Sequence, residues 1–337
     1  MKFSFKAAGC GIVALTLLLG RYPISWLLSN GKSNKRPLEK KFPYYETYVK
    51  SPTGNTLFVR IQGSSEKPTL VLIHGINSNG QQWKEQQRFF CNDYRLLMID
   101  LPGHGASPDA VDLSINALAL DLSSILAQLK IPQPILHGHS LGGMIIQEYC
   151  IRNYSPLPKA IILQNCSYTN PLKTTPISPI PWLLQRPLIN PVLKQICRHS
   201  KLFTALGYLA YTSGMSSIFY RVLLFSGKQN SATLRKMAWF AARTSAKTTS
   251  GMLMKAFDFD AGNSPMKIEV SCLVIGAVAD RLVDPTACWY LQKQIPGSKL
   301  VMVEGGHQTL VEYPEATNQT VQRFLLNLPP YSTKGAE

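Results

Sequence analysis

The sequence predicts an α/β fold: a mostly parallel sheet flanked by helices, with a helical cap inserted late in the chain. Three observations carry that prediction. First, short continuous apolar runs recur at Thr69–Ile73 (TLVLI), Arg95–Ile99 (RLLMI), Pro134–Leu136, Ala160–Leu163 (AIIL), Ser271–Ile275 (SCLVI) and Lys299–Val303 (KLVMV). Runs of this length without polar alternation mark strands buried on both faces. Second, Leu113–Leu129, Leu141–Cys150 and Ala316–Leu326 repeat apolar residues three or four apart, which gives a helix one buried stripe. Strands alternating with such helices build a parallel sheet. Third, the alternation stops from about Cys166 to Lys267. That span is rich in proline at first (Pro171, Pro176, Pro179, Pro181, Pro187, Pro191) and helical with scattered aromatics afterwards. It is too long for a plain loop.

In chain order, residues 1–41 read as a hydrophobic anchor or signal segment followed by a basic linker. Met1–Lys6 holds two lysines, Ala7–Gly20 is uncharged, Arg21 interrupts, and Tyr22–Leu28 is apolar again. A short apolar core behind a basic start is the pattern of a signal peptide. Residues 7–28 are also long enough to span a bilayer if Arg21 reaches the interface. No small-x-small cleavage site follows, and no apolar run precedes Cys10 as a lipoprotein signal requires. The flank Lys32, Lys35, Arg36, Lys40 and Lys41 is more basic than the leading one, so the positive-inside rule keeps the rest of the chain cytoplasmic. Export after signal cleavage is the alternative. Residues 42–165 and 269–337 form the core, opening with two strands, Tyr45–Lys50 and Thr56–Ile61, around a turn at Thr53-Gly54-Asn55. Residues 166–268 form the cap.

With 337 residues, 45% hydrophobic and 16% charged, the chain can bury a core of ordinary size. The net charge of +16 is uneven: +7 over residues 1–41, zero over 42–165, +11 over 166–268 and −2 over 269–337. Two basic blocks suit an anionic membrane surface, where each Lys or Arg contributes about 1 kcal/mol. No nucleic-acid-binding module accompanies them. The seven cysteines (Cys10, Cys91, Cys150, Cys166, Cys197, Cys272, Cys288) are scattered, without a CxxC or a histidine at metal-ligand spacing. They read as buried reduced thiols, and the odd count argues against a secreted disulfide scaffold.

The chemistry centres on Gly138-His139-Ser140-Leu141-Gly142, which joins an apolar run to a helical pattern. This is G-x-S-x-G in the strand–turn–helix context that it requires. A serine on so sharp a turn has strained backbone angles and needs small neighbours, here Gly138, Gly142 and Gly143. The helix that follows aims its N–H groups and positive end at the reaction centre.

These residues resemble the α/β-hydrolase family, and the resemblance spans roughly Tyr45 to Leu326. His74-Gly75 after a strand is similar to the family's oxyanion loop, which implies Ile76 N–H as one donor and Leu141 N–H as the other. Asp100–Ser107 (DLPGHGAS) is similar to the family's D-x-P-G-x-G-x-S stretch, which implies a turn near the site and a structural His104. The family's acid lies in the loop after the strand that follows the cap. Val274–Ile275 ends that strand, and Asp280 matches the position. The alternative is Asp284, whose place before Pro285 suits a helix cap better. The family's usual loop glycine stands one place early, at Gly276. The base is His307, in Gly305-Gly306-His307, where two glycines let the loop bring an imidazole over the elbow. His137 and His139 flank the serine without reaching its oxygen, His74 sits in the oxyanion loop, and His199 is in the cap. Ser140, Asp280 and His307 then follow the fold's chain order.

In the implied mechanism, His307 takes the proton of Ser140 as the hydroxyl attacks a carbonyl, and Asp280 fixes the imidazole tautomer. The two backbone donors contribute about 3 kcal/mol each. No metal or organic cofactor is needed. Serine rather than aspartate at 140 excludes the epoxide hydrolase and haloalkane dehalogenase chemistry of relatives. The cap aromatics, among them Trp182, Phe203, Tyr208, Phe219 and Trp239, either pack the cap onto the core or form an acyl pocket and a membrane-facing surface. With the basic cap and the N-terminal segment, the organisation resembles membrane-anchored monoacylglycerol lipases. The expectation is therefore hydrolysis of carboxylic esters of acyl lipids. Thioester hydrolysis, acyl transfer and carbon–carbon cleavage on the same triad are alternatives, and a non-enzymatic membrane-bound interaction protein is a further one.

Overall fold

Each of the six short apolar runs from Thr69 to Val303 becomes a strand of one eight-stranded sheet. A computed structural model describes residues 44–227, 229–262 and 270–328; the expected N-terminal anchor lies outside them. The strands are β1 (Tyr45–Lys50), β2 (Thr56–Gln62), β3 (Thr69–Ile73), β4 (Arg95–Asp100), β5 (Ile135–His139), β6 (Ala160–Gln164), β7 (Ser271–Ala277) and β8 (Lys299–Val303). Their order is β1-β2-β4-β3-β5-β6-β7-β8. β1 pairs antiparallel with β2, as β2 does with β4, and all the other neighbours are parallel.

Successive residues of a strand face opposite sides, and in the central strands both sides are covered. Val71 and Ile73 of β3 join one core with Ile115, Leu118, Leu122 and Ile125 of α2 (Ile115–Gln128) and Ile145 of α3 (Leu141–Ile151). Leu70 and Leu72 join the other with Phe90 of α1 (Lys84–Phe90) and Val321 and Phe324 of α12 (Pro314–Leu326). Ser114 caps α2 by accepting the N–H of Ala117, worth about 1 kcal/mol. Between β6 and β7 the chain forms α4 (Ile180–Leu184), a π-helical turn at Gln185–Ile189, α5 (Asn190–Arg198), α6 (Ser200–Thr212), α7 (Met215–Leu223), α8 (Ser231–Ala242) and α9 (Ala246–Phe257). α10 (Pro285–Gln294), the short α11 (Thr309–Glu312) and two 3-10 turns at Gly80–Trp83 and Pro171–Lys173 complete the described elements.

β2, β4 and β6 each run one residue past the ends expected from the sequence, and two strands run further still. β5 continues past Leu136 through His137 and His139, because the His137 Nε2–H is satisfied inside the core by Gln164 Oε1 at 2.8 Å. β7 continues past Ile275 to Ala277. Gly276 is therefore a strand residue and not the loop glycine expected from the sequence. A Cβ there would stand 2.7 Å from Met302 Sδ and 2.9 Å from Cys288 Sγ, so the glycine makes room for sulfur packing.

The tightest backbone approach lies at Gly142, where a Cβ would stand 2.2 Å from the carbonyl oxygen of Ile73. Gly207 in α6 has no heavy atom within 4 Å of the same position. Gly142→Ala should destabilise the protein by at least about 1–3 kcal/mol through overpacking. Gly207→Ala should stabilise it by about 0.4–1 kcal/mol. Urea unfolding of both variants checks this; equal effects would contradict the packing argument.

Candidate active site

The expected site residues come together at the carboxyl ends of the parallel strands, where open α/β sheets place their crevices. Ser140 follows β5 with φ 54° and ψ −117°. That strained conformation lets the chain leave the strand and enter α3 within one residue. Its N–H donates to the Gln164 carbonyl at 2.9 Å, which ties the turn to β6. Leu141 is the first residue of α3, so its N–H has no intrahelical acceptor. Ile76, Ser140, Leu141 and His307 all line one cavity of about 330 Å³.

Asp280 lies in the loop after β7 and His307 in the loop after β8, with His307 Nδ1 2.8 Å from Asp280 Oδ2. Both residues are buried, at 5% and 3% exposure. The other carboxylate oxygen, Oδ1, accepts the N–H groups of Leu282 (2.8 Å) and Val283 (2.9 Å). Burial works against the ionised Asp280, but His307 and these two backbone donors outweigh it and hold the carboxyl below its ordinary value. Asp284 instead caps α10, accepting the N–H of Thr286. The two loop glycines before His307 serve different needs. Gly305 has φ +115°, and a Cβ on Gly306 would press against the Leu224 carbonyl at 2.8 Å.

The loop after β3, which carries Ile76, is held by two neutral histidines. Burial lowers His74 to a pKa of about 4, and burial with the neighbouring His74 lowers His104 to about 3. A neutral ring has one acceptor nitrogen, and the partners fix which it is. His74 Nε2 accepts from the Leu101 N–H at 2.9 Å while Nδ1–H donates to the Gly75 carbonyl. His104 Nε2 accepts from the Asn77 N–H at 3.1 Å while Nδ1–H donates to the Pro102 carbonyl. The two loops thus brace each other across Ile76. His139 takes a third such role: Nε2–H donates to the His307 carbonyl at 2.8 Å and Nδ1 accepts from Gln82.

Asn165, which the sequence reading does not single out, stands directly behind the acid. Its side-chain N–H donates to Asp280 Oδ2 at 3.2 Å, and its carbonyl oxygen accepts from the Thr309 hydroxyl at 2.7 Å. That hydroxyl accepts from Gln164 Nε2 at 2.8 Å, and Gln164 Oε1 accepts from His137. One buried chain of hydrogen bonds therefore runs from His137 to Asp280. The available signal was position: Gln164-Asn165 are polar residues at the carboxyl end of a wholly apolar strand. His199 lies outside this group of contacts, at the start of α6. Among the described residues, no group of His, Cys, Asp and Glu could hold a metal ion.

A model of the alpha/beta hydrolase family matches residues 70–320. Among curated proteins, 3-oxoadipate enol-lactonase 2 of Acinetobacter baylyi is 22% identical over 264 residues, covering 78% of this chain and 90% of that protein. Among solved structures, the esterase EaEST of Exiguobacterium antarcticum superposes with a TM-score of 0.70 at 18% identity, covering 84% of this chain and all of the other. A bacterial membrane phospholipase A superposes with a TM-score of 0.68 at 20% identity, covering 96% of each chain.

The Asp280 pair sets a pH dependence of stability. A carboxyl held low in the folded state contributes stability that is fully present above its unfolded value of about 4 and is lost as pH falls through the folded value. Below about pH 4 the wild type should therefore lose stability more steeply than Asp280→Asn. Urea midpoints measured from pH 6 downward check this; parallel curves would remove the low carboxyl from the account.

Proposed function

The chain belongs to the α/β-hydrolase family, and from that premise we propose that it is a serine hydrolase of carboxylic esters. Ser140 is the nucleophile in this reading, His307 the base and Asp280 the residue that orients the base. The observation that carries it is the buried His307–Asp280 hydrogen bond, with the strained Ser140 and His307 lining one cavity and all three residues at carboxyl ends of strands, those of β5, β7 and β8.

Asp280 engages Nδ1 of His307 and so leaves Nε2 to act as the base. As Ser140 Oγ attacks the substrate carbonyl carbon, its proton passes to Nε2 and a tetrahedral oxyanion forms. The N–H groups of Ile76 and Leu141 stabilise that oxyanion, each by about 3 kcal/mol. Collapse breaks the ester C–O bond, and the leaving alcohol takes the proton from Nε2. Water then attacks the acyl carbon, gives a proton to Nε2, and the acid departs as the proton returns to Ser140.

In this reading the acyl group takes the apolar part of the cavity, lined by Met144, Leu253, Ala256 and Phe257 together with Phe219 and Leu223 of α7. This wall supports a medium or long acyl chain, and with the basic helices between β6 and β7 it supports an acyl lipid such as a monoacylglycerol. No helix among the described residues is long and apolar enough to cross a membrane. The anchor in this reading is the apolar segment at residues 7–28, with the hydrolase region on the cytoplasmic side.

A fluorophosphonate probe should label the wild type and fail to label Ser140→Ala, which should also lose roughly a factor of a million in ester turnover. Graded p-nitrophenyl esters should give an optimum beyond the short chains. A folded wild type that neither labels nor turns over any ester sinks the proposal, and turnover of short esters alone sinks its lipid part. Asn165→Ala should cost about ten- to a hundredfold in kcat with little change in KM, since hydrogen bonds to charged groups contribute about 1.5–3 kcal/mol. A rise in KM at constant kcat would assign Asn165 to substrate binding instead.

A further inference from the structure

The helices between β6 and β7 leave much of their apolar surface uncovered. α6 runs for thirteen residues with none buried, and α4 has none buried either. In α6, Leu202 and Leu206 stand one turn apart and are 59% and 41% exposed, and Tyr208, on another side of the helix, is 50% exposed. Ile180, Trp182 and Leu183 of α4 and Val192 of α5 are exposed as well. A helix of a water-facing surface normally turns polar residues outward. Exposed apolar groups gathered on neighbouring helices mark a surface that something else covers.

The charges beside these groups identify what covers it. Residues 166–257 contain twelve Lys and Arg and not one Asp or Glu. Lys194, Arg198 and Lys201 are exposed on α5 and α6, next to the apolar stripe, and Arg186 on the π-helical turn is exposed too. Asp258 and Asp260, beside Trp182 and Arg186, are acids next to this face, and twelve cations against them match an anionic occupant. Aliphatic side chains, a Trp and a Tyr among cations are the chemistry of helices lying in a lipid headgroup layer. The surface also joins the cavity: Phe219 of α7 is 59% exposed and at the same time lines the space above Ser140.

We infer that the exposed face of α4, α5 and α6 docks on an anionic lipid bilayer, with Phe219 at the edge where an acyl chain passes from the layer into the cavity. The passage of substrate rests on the lipid-ester reading given above; the docking itself does not. The apolar stripe enters the acyl boundary while Arg186, Lys194, Arg198 and Lys201 meet headgroup phosphates.

The test is hydrogen–deuterium exchange of the full chain, alone and on phosphatidylcholine vesicles with and without phosphatidylglycerol. The local readout separates docking of these helices from any anchoring by the N-terminal segment. Exchange over residues 180–212 should slow several-fold on phosphatidylglycerol-containing vesicles, and more than on phosphatidylcholine alone. The excess should vanish at about 1 M salt, where the screening length falls to about 3 Å. Leu202→Asp with Leu206→Asp should abolish the slowing while leaving turnover of a short soluble ester unchanged. Identical exchange with and without anionic vesicles would overturn the inference. So would slowing that appears in lipid-free protein as its concentration rises, which would make a second copy the occupant. A failure of the ester-hydrolase reading would show as absent fluorophosphonate labelling with the vesicle-dependent slowing intact.

Discussion

Ser140 has to leave β5 and enter α3 within one residue, and its φ of 54° can be held only if the surrounding backbones come unusually close. A conformation of this kind costs about 1–3 kcal/mol and persists only where the rest of the structure over-determines it. Here that support is visible. The serine N–H is fixed to the carbonyl of Gln164 on β6, and α3 lies against the carbonyl of Ile73 on β3 at Gly142. β3, β5 and β6 are buried at every residue. The two-sided burial that makes a parallel sheet stable is thus greatest where the turn needs it, and the apolar character of those strands follows from the same demand.

Around this turn lies a layer of polar groups that carry little charge. Burial drives the pKa values of His74, His104, His137 and His139 down to between about 3 and 4. They are neutral at physiological pH, each with a tautomer set by its neighbours, and they work as rigid spacers between loops. Asp280, by contrast, is kept ionised, and it accepts hydrogen bonds from His307, Asn165, Leu282 and Val283. In a water-poor site, fixed dipoles of this kind are worth more than they would be in solvent. The sheet therefore delivers one localised negative charge next to the proposed base, with the nearby imidazoles adding none of their own.

How much of this the sequence displayed depends on the range of the interactions. β3 and β8 follow directly from TLVLI and KLVMV, because burial on both faces is a local property. β5 reads three residues short, since His137 and His139 look polar until Gln164, Gln82 and the His307 carbonyl appear as their partners. Asn165 shows in the sequence only as a polar residue at the end of β6, and its role stays hidden because its partners, Asp280 and Thr309, lie 115 and 144 positions away. Gly276 carried a loop expectation but serves sulfur packing between β7, β8 and α10. The aromatic residues after β6 left two uses open, and the structure divides them. Tyr220, Phe225 and Phe240 are buried among themselves and their neighbours, whereas Trp182, Tyr208 and Phe219 face outward. Composition gives the same weight to both groups; only the packing of α7 against α8 separates them.

The division has a mechanical consequence for the site. The chain just after α7 is fastened to the loop that carries His307: the Gln308 N–H donates to the Leu224 carbonyl at 3.1 Å, and Gly306 packs on Phe225. The carboxylate of Glu312 accepts from the Gly306 N–H on one side and from the Ser226 N–H, the Ser226 hydroxyl and Gln229 on the other. One end of α7 thus shares a hydrogen-bonded wall with the proposed base, while Phe219 at its middle reaches the surface. A displacement of α7 that widened the cavity would pull on the same carbonyl and carboxylate that hold the His307 loop. In the proposed reaction, one nine-residue helix therefore borders both the cavity that would take the substrate and the loop of the proposed base. The buried aromatics behind α7, Tyr220 and Phe225 against Leu234 and Phe240, keep that link stiff.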